Sequence, residues 1–207
     1  MTALQNPVLT IGHSTHTIEA FVDLLRRHGV TAVVDVRSAP FSRFNPQFNK
    51  EVLQETLKSQ GITYVFLGRE LGARSDDPGC YENGRVRYAR LAQASLFKAG
   101  LERVVEGARK YRIAMMCAEK EPLECHRTLL VARALAERDV KVEHILADGS
   151  LEQHESTMAR LLEVVGLPQQ DLFRSRMQLI EEAMARQEEQ IAYVDEDLAA
   201  RARGEGE

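Results

Sequence analysis

Short apolar runs, rich in β-branched residues, alternate along this chain with longer segments whose apolar residues recur every three or four positions. VLTIGHS (8–14), TAVVDVRS (31–38), ITYVFL (62–67), RIAMMCA (112–118) and VKVEHILAD (140–148) read as five brief strands. Between them lie THTIEAFVDLLRRHG (15–29), NKEVLQETLKSQG (49–61), SLFKAGLERVVEGARKY, CHRTLLVARALAERD and LEQHESTMARLLEVVG, each with helical periodicity. In the first of these Ile18, Phe21, Val22, Leu24 and Leu25 form one apolar face, and Gly29 is placed to end the helix. Alternation of this kind predicts βαβ units: an α/β domain with a mainly parallel sheet of about five strands flanked by helices.

The last forty residues follow another rule. Phe173, Met177, Ile180, Met184, Gln187, Ile191, Val194 and Leu198 step by four and three, a heptad stripe with one polar break, and Pro168 is suited to opening the helix. The expected organisation is an α/β domain over 1–167 and a helical extension over 168–207 that frays at its end. The stripe fits two fates, a homodimer through residues 173–198 or a return onto the domain.

Composition narrows the class. Hydrophobic residues at 44% and charged residues at 28% are ordinary for a globular protein. No run approaches the roughly 18 apolar residues of a membrane helix. The opening MTALQNP has no basic and apolar leader pattern, and three cysteines are too few for a disulfide scaffold. The expected location is cytoplasmic. The tail carries ten acids and five bases, which leaves the first 167 residues at +1 of the chain's −4. A polyanion would therefore be held by a local patch rather than by the overall field.

In open parallel sheets, ligands gather beyond the carboxyl ends of the strands. The first strand is followed there by Gly12, His13 and Ser14, and the second ends in Asp35, Val36, Arg37 and Ser38. The third gives Gly68 and Arg69, the fourth Cys117, Glu119 and Lys120, and the fifth Asp148 and Gly149. The fourth is the most informative, because CAEKEPLECHR (117–127) joins a strand to a helix that Pro122 is suited to open. Lys120, His126 and Arg127 near a helix start oppose its dipole by about 0.3–1 kcal/mol each, unless an anion sits among them. Surface pairing with Glu119, Glu121 and Glu124 is the plainer alternative.

Cys117, ending a strand and facing a helix start, is the candidate nucleophile, with burial as a small hydrophobe the competing role. Cys125, a turn later, is expected to pack. His13 or His126 would move protons, and Asp35 would orient a base or an arginine. A metal is not expected. Structural zinc sites show tighter paired spacings, and adjacent helical residues such as Cys125 and His126 point about 100° apart. No cofactor is implied.

Two loops add local charge. DVRSAPFSRFNPQFN (35–49) interleaves Arg37 and Arg43 with Phe41, Phe44 and Phe48, a composition that suits stacking on bases and gripping phosphates. The stretch from Gly68 to Tyr88 contributes Arg69, Arg74, Arg85 and Arg87.

The stretches TIGHSTHT, VVDVRSAPFSRFNPQF, YVFLGRELGAR and MMCAEKEPLECHRTLL resemble a family of bacterial and archaeal proteins grouped as domain of unknown function 488, over roughly residues 8–150. Ala73 departs from that pattern, where a glycine is expected. The resemblance implies a compact α/β domain and no settled reaction. Residues marked in the family map onto His13, Asp35, Arg37, Ser42, Arg43, Asn45, Arg69, Cys117, Glu119, Lys120, Cys125, His126 and Arg127. The expected function is an enzyme acting on a nucleotide, a nucleic-acid fragment or another small phosphorylated molecule. Alternatives are a non-catalytic nucleotide or anion sensor that dimerises through its tail, and a metal-dependent enzyme using cysteine and histidine. No membrane partner is expected.

Overall fold

A computed structural model describes residues 6–204 of the chain. In order, the elements are β1 (Val8–Gly12), α1 (Ile18–Arg27), β2 (Ala32–Asp35), α2 (Lys50–Ser59), β3 (Thr63–Phe66) and α3 (Gly68–Leu71). Next come β4 (Tyr81–Glu82), β5 (Arg85–Val86), α4 (Tyr88–Leu91), α5 (Ser95–Ala108) and β6 (Ile113–Cys117). A π-helical segment (Arg127–Ala132) runs into α6 (Arg133–Ala136), and β7 (Val142–Ile145), β8 (Leu151–Gln153), α7 (His154–Val164), α8 (Arg176–Ile191) and α9 (Glu196–Ala202) complete the chain.

The main sheet has the order β3-β2-β6-β1-β7-β8, with parallel pairing everywhere except at the β7–β8 edge. The α/β fold read from the sequence is the fold observed, with one strand added. Apolar residues on both faces of the sheet make two cores, as a covered parallel sheet requires. Leu9, Ile11, Val33 and Met116 pack with Phe21 and Leu25 of α1 and Leu53 and Leu57 of α2. On the other face Val34, Met115 and Val142 pack with Leu101, Leu130, Leu161 and Leu179. The chain thus leaves β1 and β2 over one face and β6 over the other. These three strands are neighbours at the sheet's centre, so a crevice opens at their carboxyl ends.

Three local expectations change. LEQ (151–153) is not the start of a helix: the turn at Gly149 (φ 86°) folds it back onto β7 as an antiparallel edge. The loop after Leu71 contains a hairpin, β4–β5, closed by Asn83 and Gly84 with φ of 50° and 79°; two left-handed residues define the turn that Asn-Gly favours. The helix that Pro122 was to open is interrupted. Pro122–Glu124 is one 3-10 turn, Cys125 is extended (φ −138°, ψ 138°), and the helix proper resumes from His126.

The tail folds back onto its own domain. Leu179, Ala183, Met184 and Ala192 join the main core, and Gln187 Nε2 donates to the Leu123 carbonyl (3.0 Å). Its stripe is buried from Ile180 onward to differing degrees, while Phe173 and Met177 are 93% and 70% exposed. Between α8 and α9 the backbone pairs with the hairpin: Val86 N donates to the Tyr193 carbonyl, and Asp195 N to that of Gly84. Among the described residues no helix is long and apolar enough to cross a membrane.

Candidate active site

The ends of β2, β6 and β1 carry two adjoining buried polar groups. The first is built on Asp35 and Arg37, both buried. Arg37 Nε donates to Asp35 Oδ1 (2.9 Å) and Nη2 to Oδ2 (2.7 Å), a two-pronged ion pair. Nη2 also donates to the Phe48 carbonyl (2.8 Å), and the Tyr64 hydroxyl donates to Asp35 Oδ2 (2.7 Å). Nη1 lies 3.2 Å from His13 Nε2.

A guanidinium cannot accept a hydrogen bond, so His13 Nε2 must carry the lone pair. The proton then sits on Nδ1, which donates to the Ser14 carbonyl (2.9 Å). The imidazole stacks on Phe48, with centroids 4.3 Å apart. Burial pulls the His13 pKa down to about 4; the Ser14 bond opposes this and the Arg37 charge reinforces it. His13 is therefore a neutral acceptor that positions Arg37. Of the five N–H groups on the guanidinium, four are taken, and the last, on Nη1, has no acceptor among the described residues.

The second group gathers around Cys117. His126 Nε2 lies 3.0 Å from the Val36 carbonyl, so it carries the proton and leaves Nδ1 as the acceptor. Nδ1 is 3.7 Å from Cys117 Sγ and 3.9 Å from Cys125 Sγ. Cys125 Sγ is also 2.8 Å from Glu119 Oε2, and the backbone N–H of Arg127 donates to it (3.4 Å). A sulfur and a carboxylate oxygen at that separation must share a proton, because two anions would repel.

Burial pushes the Cys117 thiol well up, and its neighbours Cys125 and Glu119 push it further. Burial acts the same way on Cys125, but the hydrogen bond from Cys117 and the charge of Arg127 oppose it, and that thiol is held well below the usual range. His126 moves up despite its burial, because of Cys125 and Glu119, and burial with the Cys125 charge raises Glu119.

Arg127 is wholly buried beneath this group. Nη1 donates to the Glu119 carbonyl (2.6 Å) and Nη2 to that of Lys120 (3.3 Å), while Nε finds no partner among the described residues. The approach demands glycine at position 12: a Cβ there would fall 1.8 Å from the Glu119 carbonyl oxygen.

Two cavities open on these groups. One, of about 380 Å³, is lined by Arg37, Cys117, Glu119 and His126, together with Arg74, Phe41, Tyr88, Ile191 and Tyr193. The other, of about 350 Å³, is lined by His13, Ser14, Arg37, Ser42 and Asn45. Arg37, Ala39, Phe41 and Ala118 border both. The structure thus brings together His13, Asp35, Arg37, Cys117, Glu119, Cys125, His126 and Arg127, with Ser42 and Asn45 next door. Ser42 and Asn45 also brace their own loop, through Ser42 N to Asn49 Oδ1 and Asn45 N to Ser42 Oγ. Arg43 and Lys120 on loops and Arg69 on α3 are exposed and line neither cavity.

Tyr64 and Tyr193 carried no sequence signal, and Phe48 was visible only as part of the arginine- and phenylalanine-rich loop. Tyr64 and Phe48 act through packing onto Asp35, Arg37 and His13. Tyr193, whose ring holds the Arg74 guanidinium at 4.3 Å, arrives from the tail. The Cys125–His126 juxtaposition was hidden because both residues were read as helical; with Cys125 extended, the 100° separation of adjacent helical side chains does not apply.

Searches of curated proteins and of solved structures each found no match to the chain. A family described as "Domain of unknown function DUF488" matches residues 17–134, more than half of the 207 residues and inside the stretch where its motifs were recognised. The chain belongs to this DUF488 family.

Proposed function

We propose that the chain is an enzyme acting on a small phosphorylated substrate, a nucleotide or a nucleic-acid end, with its reaction centre at Cys117, Glu119, Cys125 and His126. The observation that carries this reading is the shared wall of the larger cavity, where the thiol of Cys117, the carboxyl of Glu119 and the imidazole of His126 meet Arg37. An anionic group entering there accepts from Arg37 and from Arg74, which lines the same cavity. Asp35 keeps the Arg37 fork in place. Exposed Arg43, Arg69 and Lys120 draw the anion inward at long range, and Ser42 and Asn45 in the adjoining cavity hold the remainder of the substrate. Cys117 supplies the sulfur on which the reaction depends, and His126 Nδ1 is placed to receive its proton.

The experiment is a thermal-shift screen of the full chain against nucleotides, phosphosugars and short oligonucleotides, followed by turnover assays on the compounds that bind. A compound bound at a hundredfold excess over its Kd stabilises the protein by about 2.7 kcal/mol, a clear rise in Tm. Cys117→Ser is expected to retain that rise and lose turnover. Undiminished turnover in Cys117→Ser removes the cysteine from the reaction. Binding without turnover in either protein replaces the enzyme by the sensor.

A further inference from the structure

We infer that Cys117, Cys125 and His126 form a three-ligand site for a thiophilic divalent cation of the zinc class, with its fourth position open to the larger cavity beside Glu119. This rests on the proposed reading of that cavity as the reaction centre and refines it: Cys117 acts as a ligand rather than by direct attack.

The donor geometry is the first support. The two sulfurs and Nδ1 all lie within 4.8 Å of one another. Zinc bonds of about 2.3 Å to sulfur and 2.0–2.1 Å to nitrogen, at tetrahedral angles, put a sulfur and a nitrogen ligand about 3.6 Å apart. The observed separations, 3.7 and 3.9 Å, are within a few tenths of an ångström of that edge. Three filled positions and one facing a cavity describe a catalytic rather than a closed structural site.

The surrounding shell is the second. A ligating histidine is usually oriented by a hydrogen bond from its other nitrogen, and His126 Nε2–H meets the Val36 carbonyl. The Arg127 N–H reaches Cys125 Sγ, a bond that favours sulfur in its anionic, ligating form. Two thiolates and one imidazole select zinc over magnesium, calcium or manganese, which prefer oxygen. As the ion enters, two protons leave the cluster, so the buried charge is unchanged.

The extended backbone at Cys125 makes the site possible. It swings the Cys125 sulfur toward Glu119 and Cys117, while His126, starting the helix, aims its ring at the same point.

The test is metal analysis of the full chain purified without chelators and then titrated with Zn²⁺, alongside Co²⁺ loading as an optical probe. About one equivalent of zinc per chain, and a sulfur-to-cobalt charge-transfer band, are expected. Cys125→Ser and His126→Asn should each lower the retained zinc by at least about tenfold. The cobalt spectrum needs only the unaltered chain, so a variant that fails to fold does not blunt the test. Absence of both stoichiometric zinc and the charge-transfer band overturns the site while leaving the proposed enzyme intact. Stoichiometric zinc in a protein that binds no phosphorylated compound keeps the site and overturns that function instead.

Discussion

Asp35–Arg37 and Cys117–His126 lie at the ends of adjacent strands, yet their polar groups are satisfied in opposite ways. Around Arg37 both carboxylate oxygens are bonded, Tyr64 and Phe48 complete the set, and His13 is held neutral on its stacked ring. Around Cys117, two sulfurs, an imidazole lone pair and a carboxyl point at one another, and the nearby guanidinium of Arg127 retains an unpartnered N–H. Fully matched polar networks rigidify a fold; crowded donors and unmatched atoms mark where a protein keeps reactivity at some cost in stability. In the proposed function the first group holds Arg37 in place for the anion, and the second carries the chemistry.

Three measurements break or sharpen that contrast. The largest effect belongs to the scaffold. Asp35→Asn leaves the buried Arg37 charge without its counterion and should lower the free energy of unfolding by about 3–5 kcal/mol in urea titration. A loss under about 1 kcal/mol would mean that the pair is not structural. Next is Tyr64→Phe, which removes one donor from a buried carboxylate. It should cost about 1.5 kcal/mol and leave turnover within about twofold, equivalent to under half a kcal/mol; a large loss of turnover with unchanged stability would move Tyr64 to the reactive side.

The smallest effect concerns pH and lies away from both groups. His144 bridges Thr10 and His154 inside the domain (2.7 and 3.1 Å), and burial lowers the pKa of both histidines. The unfolded chain takes up their protons near pH 6.5, and the folded chain does so only further down. Stability should therefore be full above about pH 6.5 and fall as the pH drops below it. His154→Gln should flatten that acid limb by about 1 kcal/mol between pH 7.5 and 5. An unchanged slope would assign the limb to other groups.

The central strands were legible because a parallel sheet covered on both faces needs uninterrupted apolar runs, and VLTIG, AVVD and IAMMC are such runs. Their polar successors marked the site for the same reason: the chain leaves a parallel strand where the crevice opens. What stayed hidden depended on long-range packing. Whether residues 173–198 paired outward or inward turned on contacts such as Gln187 with Leu123, which have no local signature. The β4–β5 hairpin did have one, Asn83-Gly84, overshadowed by the charge of the surrounding loop. The break at Cys125 had only Pro122, which marks a helical start without saying how soon the first turn ends.

The family match begins at residue 17 and ends at 134, whereas β1, the strand that seats Gly12 against the Glu119 carbonyl, comes before it, and Ile191 and Tyr193 come long after. An expression fragment trimmed to the matched span would lack the sheet's inner partner for β6 and two residues lining the cavity. Such a fragment would be expected to aggregate or to hold a gaping pocket, and its inactivity would say nothing about the intact protein.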